Sequence, residues 1–319
     1  MKRITLTIII VTLLSFTLIY SFLYIKDLRK VEHENNIDGK NISQEEYIYK
    51  EDLLYLAYKV DEIKKIEETV NNIDVKRYLL NHKYDNLINF LNVPYFKCEN
   101  IERYESYLKR NKELSYEEIV LNVEMNLDKD FYTNITEVKD PNDTLVLVNK
   151  FYKLPNNFEA TDLELVDSKY GNNQVLKKIT AKKITEMIDA AKKDNINLTI
   201  VSSYRSESKQ QNLFNTTKKK YGQTYALNYQ AKPGHSEHQT GYAVDLNTTN
   251  SNFSKTKEYE WLKNNAHLYG FIERYPKGKT KITGYGYEPW HYRYVGIDVS
   301  TKIHENNITL EEYLIKYSK

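Results

Sequence analysis

The chain has 319 residues, more than one compact domain ordinarily needs, so two folded parts and a tether are expected. Its 46 Lys+Arg and 44 Asp+Glu leave a formal charge of +2. That balance lacks the concentrated cations that a phosphate backbone requires, so nucleic acid is not an expected partner. Cys98 is the single cysteine, which excludes an intrachain disulfide and leaves the core, with any bound metal, to hold the fold.

From Ile4 to Ile25 there is no charged residue, and Ile, Leu, Val and Phe dominate. As a helix this run spans the ~30 Å hydrocarbon core of a bilayer. A cleavable signal would have a shorter apolar stretch and small residues before the cut. Tyr20, Phe22, Leu23 and Tyr24 stand there instead, so residues 1–30 read as a membrane anchor. Lys26, Arg29 and Lys30 follow the span and outnumber Lys2 and Arg3, so the positive-inside rule alone does not place the remainder outside. Residues 31–44 are polar, without an apolar period, and read as a linker.

Residues 45–139 read as a helical spacer. Leu53, Leu54, Leu56 and Ala57 lead into Val60, Ile63 and Ile66, and Leu87, Ile88, Phe90 and Leu91 form another apolar face. Ser115-Tyr116-Glu117-Glu118 resembles a capping box. Cys98 and His82 fall in this region, where a structural cysteine is the commoner reading than a Cys–His nucleophile.

The remainder, 140–319, mixes helices and strands without a regular βαβ repeat, which argues for an α+β domain. Thr144 to Val148 is a β-branched run that reads as a strand. Helices are expected near 180–193, 207–220 and 257–269, and strands at 198–201, 242–246 and 290–295. There is no internal repeat and no Gly-rich phosphate loop. The 29 tyrosines read as compositional bias without functional content.

Chemistry concentrates in His238, Asp245, Glu288 and His291. Zinc takes imidazole nitrogen and carboxylate oxygen, and a catalytic site uses three protein ligands and leaves one position open. Asp245 lies between Val244 and Leu246, where a carboxylate is costly unless paired or bound to a cation. Gly241 permits a close approach of the loop after His238. Glu288 and His291 would point to opposite faces of a straight strand, and Pro289 makes the bend that lets both face one ion. His238, Asp245 and His291 are then the candidate ligands, with Glu288 free to move a proton.

Ser236-Glu237-His238-Gln239-Thr240-Gly241-Tyr242-Ala243-Val244-Asp245 and Glu288-Pro289-Trp290-His291, with Ser203-Tyr204-Arg205-Ser206 upstream, resemble the signature of the zinc D-alanyl-D-alanine carboxypeptidases. These are the VanY-like members of a peptidase group that also holds VanX-type dipeptidases and L,D-carboxypeptidases. The resemblance covers about residues 140 to 300. It implies an antiparallel sheet with flanking helices, Zn2+ on His238, Asp245 and His291, and Glu288 as catalytic base. It places Arg205 beside the substrate carbonyl or its terminal carboxylate. Arg205, Ser206 and Gln210 are candidates for that carboxylate, although Ser206 also reads as a helix N-cap. Ser236 and Trp290 are further candidates to touch substrate, and His235 reads as support or loop surface.

The expected function is a single-pass membrane carboxypeptidase that removes the terminal D-alanine from peptidoglycan stem peptides, which puts the catalytic domain outside the cell. An L,D-carboxypeptidase or D,D-dipeptidase with the same zinc site stays open. So does a non-catalytic wall-binding module, in which Glu288 closes a four-ligand structural site.

Overall fold

The computed structural model describes residues 44–70, 79 and 82–318. The chain divides into two compact units between Val120 and Leu121. The expected anchor and the linker through residue 43 lie outside the described residues. Among the described residues, no helix is long and apolar enough to cross a membrane.

The first unit is helical: α1 (Gln44–Tyr55), α2 (Val60–Thr69), α3 (Leu87–Leu91) and α4 (Ile101–Arg110), followed by α5 (Tyr116–Glu124), which runs across the division. Helix α2 buries Ile63 and Ile66, one turn apart, as its apolar spacing requires. Leu53, Leu87, Phe90, Ile101 and Tyr104 are fully buried with them. The capping box forms: Glu118 Oε2 accepts from the Ser115 N–H at 2.8 Å, and Glu118 N donates to Ser115 Oγ at 3.2 Å. Cys98 is buried, and burial pushes its thiol up to about 12, so it supplies no thiolate nucleophile near neutral pH.

The second unit opens with a short parallel pair, β1 (Thr136–Glu137) and β2 (Tyr152–Lys153), and an antiparallel pair, β3 (Leu163–Leu165) and β4 (Val175–Lys177). Helix α6 (Lys178–Lys193) follows and buries Ile184, Met187, Ile188 and Ala191, the face its period marks. Next come β5 (Ile200–Ser202), α7 (Glu207–Tyr221), α8 (Gln223–Tyr229), β6 (Ala243–Leu246), α9 (Lys257–Asn265), β7 (Phe271–Glu273), the short helix α10 (Thr280–Thr283), β8 (His291–Tyr294), α11 (Ile297–Asn306) and α12 (Leu310–Tyr317). Strands β5, β6, β8 and β7 form one antiparallel sheet in that order.

The sheet sorts its side chains by face. Val244, Leu246, Phe271, Tyr292 and Tyr294 pack with α6 residues and Leu262 in the main core, each large apolar side chain contributing ~1.5–3 kcal/mol by burial. The alternate residues face the other way. Ser202 lies opposite Asp245, and Asp245 opposite His291, so one row of three strands carries polar groups.

Residues 144–148 are not a strand. The carbonyls of Thr144 and Val146 accept from Arg293 Nη2, at 2.8 and 3.0 Å. A buried guanidinium takes the place of a partner strand while Val146 and Val148 pack beside Leu154. The β-branched pattern reported burial correctly and hydrogen bonding wrongly.

Candidate metal centre and its cleft

His238 sits on a short 3-10 helix, Glu237–Thr240, which ends at Gly241 with φ 78°. A Cβ on Gly241 would meet Leu163 Cδ2 at 3.0 Å and the Lys177 backbone N at 3.3 Å. Glycine therefore supplies both the left-handed turn and the close approach to β4. Asp245 comes from β6 and His291 from the start of β8, directly opposite it. Pro289 does turn the chain: His291 N donates to the Glu288 carbonyl at 3.1 Å, and Glu288 and His291 both line the cleft.

His238, Asp245 and His291 are all buried and offer ligand atoms within 4.8 Å of one another. His238 Nε2 lies 3.3 Å from Asp245 Oδ2, and His291 Nδ1 lies 3.0 Å from Asp245 Oδ1. Those separations put the three donors within reach of one ion, and imidazole nitrogen and carboxylate oxygen are donors that zinc takes. The remaining imidazole nitrogens are also directed. His238 Nδ1 bonds the Ser203 carbonyl at 2.8 Å. His291 Nε2 faces Glu237 Oε2 at 3.5 Å, and neither of these buried atoms has a closer partner. The outer nitrogens thus face the Ser203 carbonyl and the Glu237 carboxylate, and the inner ones both face Asp245, where a cation would sit.

Glu237 anchors a buried ion network. Its Oε1 accepts from Arg274 Nε at 2.7 Å and Arg293 Nη1 at 2.9 Å. Arg274 in turn forks onto both carboxylate oxygens of Glu311, at 2.9 and 2.7 Å. Burial would raise the Glu237 carboxyl, but Arg274 and Arg293 overcome it and hold the group well below the usual range. Sequence reasoning missed this network. Its signal was present in Arg293, a charged residue between Tyr292 and Tyr294 in β8, where an unpaired cation is costly.

Glu288 is buried but lies outside the three-residue cluster. Burial pushes its carboxyl up to about 8; nearby His291 opposes this and Asp245 adds to it. A cation among the three ligands would draw it back down. Burial lowers His291, yet hydrogen bonds to Asp245 and Glu237 outweigh that and raise it to about 9.

Arg205, half-buried, is fixed by its neighbours. Nη1 donates to Gln210 Oε1 at 2.8 Å and Nη2 to Ser202 Oγ at 2.9 Å, while Gln210 Nε2 donates to the Ala231 carbonyl at 2.7 Å. Arg205, Gln210, Ser236 and Trp290 all line a cleft of about 380 Å³ together with the metal-site residues and Glu288. Ser206 does not line it. Its hydroxyl caps α7 by accepting from Lys209 N at 3.4 Å. His235 is also elsewhere, bonded through Nδ1 to the Asn149 carbonyl at 2.7 Å.

A family model described as VanY, D-alanyl-D-alanine carboxypeptidase, matches residues 173–297. The protein YodJ of Bacillus subtilis (strain 168) is 39% identical over 215 residues, which cover 62% of this chain and 79% of that protein. The structure of the LdcB LD-carboxypeptidase matches with 40% identity and a TM-score of 0.54, over 59% of this chain and 94% of that one. A mutant of the D,D-pentapeptidase VanY from a VanB-type resistance cassette, in complex with Zn(II), matches with 36% identity and a TM-score of 0.49, over 54% and 98%. This chain belongs to the VanY family of D-alanyl-D-alanine carboxypeptidases, and it is a hydrolase that cuts peptides.

Proposed function

We propose that the protein is a membrane-anchored, zinc-dependent D,D-carboxypeptidase that removes the terminal D-alanine from peptidoglycan stem peptides outside the cell. The observation that carries this reading is the three-donor cluster of His238, Asp245 and His291 with a separate buried carboxylate, Glu288, in the same cleft. Three protein donors with a fourth carboxylate set apart suit catalysis better than a closed structural site.

His238, Asp245 and His291 would hold zinc, which would supply Lewis acidity for the water and the scissile carbonyl. Glu288 takes one proton from water as the water oxygen bonds to the carbonyl carbon. The C–N bond then breaks, and Glu288 returns that proton to the leaving nitrogen. The products are free alanine and a stem peptide one residue shorter. Arg205 faces the charge that develops on the carbonyl oxygen or the terminal carboxylate, as a planar cation already oriented by Gln210 and Ser202. Ser236 and Trp290 border the substrate.

The apolar run Ile4–Ile25 supports the anchor, and a wall substrate supports the external side. An L,D-carboxypeptidase is the second reading, favoured by the 40% identity to LdcB. Incubating the full-length zinc-loaded protein with penta- and tetrapeptide stems, with and without chelator, separates the two by mass. Loss of alanine from the pentapeptide alone, abolished by chelation, supports the D,D reading. Loss from the tetrapeptide moves the assignment to L,D activity, and no cleavage of either by zinc-bearing protein overturns both.

A further inference from the structure

The cleft continues well past the groups that cut. Along α7, Gln210, Leu213, Thr217 and Tyr221 form one lining stripe, spaced three, four and four residues apart as a helix face demands. At 1.5 Å per residue the stripe runs about 16 Å from Gln210 to Tyr221. An extended dipeptide covers only about 7 Å. Most of the cleft therefore lies beyond a terminal pair of alanines.

Three tyrosines run from that outer end back toward the catalytic loop. Tyr221, Tyr225 and Tyr229 all line the cleft. They stand four residues apart across the break at Gly222 and touch in sequence, with ring centroids at 4.8 Å and then 4.7 Å. They are 53%, 43% and 38% exposed, so part of each side of the row is open to solvent and to a ligand. The inner end of the row is joined to the catalytic loop. A Cβ on Gly286 would come within 2.3 Å of Tyr229 Cε1, and Gly286 N donates to the Asn228 carbonyl at 2.9 Å. Gly286 stands two residues before Glu288, so the absence of a side chain there lets the first ring close on the loop that holds the base.

The outer cleft is also poor in groups for a free amine. The carboxylates that line the cleft are Glu237, Asp245 and Glu288. Glu237 is bonded by two arginines, Asp245 by two histidines, and Glu288 faces the scissile bond. A dipeptide with a charged amino terminus finds no unengaged carboxylate among the lining residues.

We propose that Tyr229, Tyr225 and Tyr221 form a binding subsite for the peptide upstream of the scissile bond, about three residues of it, and select long stems over free dipeptides. This rests on the carboxypeptidase reading above. Helices α7 and α8 offer no strand edge, so the part of the cleft that they line holds a peptide through side chains. Ring faces hold side-chain methyls and methylenes without regard to backbone pairing, which suits a chain that contains D residues. Aromatic contacts of this kind contribute ~0.5–1.5 kcal/mol each, so two rings amount to roughly tenfold in affinity.

The test uses the full-length protein and N-acetylated peptides of two to five residues ending in D-Ala-D-Ala. kcat/KM is measured for the wild type, and binding is measured by calorimetry with the Glu288→Gln variant. The expected result is a rise of about tenfold or more in both quantities from the dipeptide to the pentapeptide. Tyr221→Ala with Tyr225→Ala should erase most of that ratio, and Tyr221→Phe with Tyr225→Phe should keep it. A ratio unchanged by the alanine pair overturns the subsite. A disaccharide-linked pentapeptide is run beside the series, and a ring-dependent gain seen with that ligand alone also overturns the subsite by assigning the rings to sugar. No cleavage of any peptide by the wild type would overturn the D,D-carboxypeptidase reading, and the calorimetric ratio would still decide the subsite.

Discussion

Glu237 Oε2 meets His291 at Nε2, 3.5 Å away, while Asp245 meets the same ring at Nδ1, 3.0 Å away. One imidazole is thus gripped by carboxylates at both nitrogens, and only the second grip belongs to the ligand set. Glu237 fixes which nitrogen faces the cation, and two arginines fix Glu237.

Glu237→Gln should weaken zinc binding by about 10–100-fold. The amide keeps the shape but removes the charge that Arg274 and Arg293 share. Competition against a chelating dye measures the affinity directly, and an unchanged constant would remove Glu237 from the support of the site. Glu237→Ala should fare worse, costing on the order of 3–5 kcal/mol of stability because two buried guanidinium groups lose their partner.

Glu288→Gln should retain zinc and lose about two to four orders of magnitude in kcat. Metal content by elemental analysis and turnover on a pentapeptide stem check this together. Near-normal turnover in a metal-replete variant would take Glu288 out of the mechanism.

His238→Ala should lose metal and activity together, since two remaining protein ligands seldom hold catalytic zinc. Dialysis of the wild type against chelator should reproduce the loss, and added zinc should reverse it only in the wild type. A fully metallated, active His238→Ala protein would sink the ligand assignment.

Arg205→Lys should reduce kcat/KM by roughly 10²-fold, because the amine keeps the charge but cannot bridge Gln210 and Ser202 while facing substrate. A fall in kcat alone would place Arg205 at the carbonyl oxygen. A rise in KM alone would place it at the terminal carboxylate. Neither change would exclude it from substrate contact.

Glu273, on the core face of β7, offers a pH prediction away from the metal. Burial pushes its carboxyl up to about 7, against the Tyr259 hydroxyl bond and Lys263. The folded state keeps a proton there that the unfolded chain releases near 4.5, so the group favours folding at low pH. That contribution, at most about 3 kcal/mol, is complete below pH 4.5 and lost as pH rises through 7. Glu273→Gln should therefore raise the melting temperature relative to wild type more at pH 8 than at pH 5. An equal shift at both values would refute the assignment.

Much of the site was readable in the chain because its residues are close in sequence or forced by burial. Asp245 inside an apolar strand and Pro289 between Glu288 and His291 each carried their own physical reason. The long helices and core strands of the second unit were legible through period and β-branching. The Glu237–Arg274–Glu311 network was not, because each pair joins residues 37 apart that no periodicity links. Residues 144–148 misled for a related reason. Their alternation records an apolar environment, and only the fold reveals that Arg293 supplies the hydrogen bonds. Ser206 shows the reverse case, where a capping rule outlived a functional guess. The tyrosine row was hidden by abundance, since 29 tyrosines made any three look like background.

The pairing of Asp245 with His291 across β6 and β8 makes the metal centre a gauge of strand alignment. Side chains alternate faces along a strand, so a slip of one residue would present Tyr292 to the cleft and bury the histidine in the core. A misaligned molecule could not assemble the three donors, and a loaded ion would hold two strands in their one correct offset. In a chain with a single cysteine, metal uptake thus doubles as proofreading of the sheet, and a molecule able to cut is for that reason one that has folded correctly.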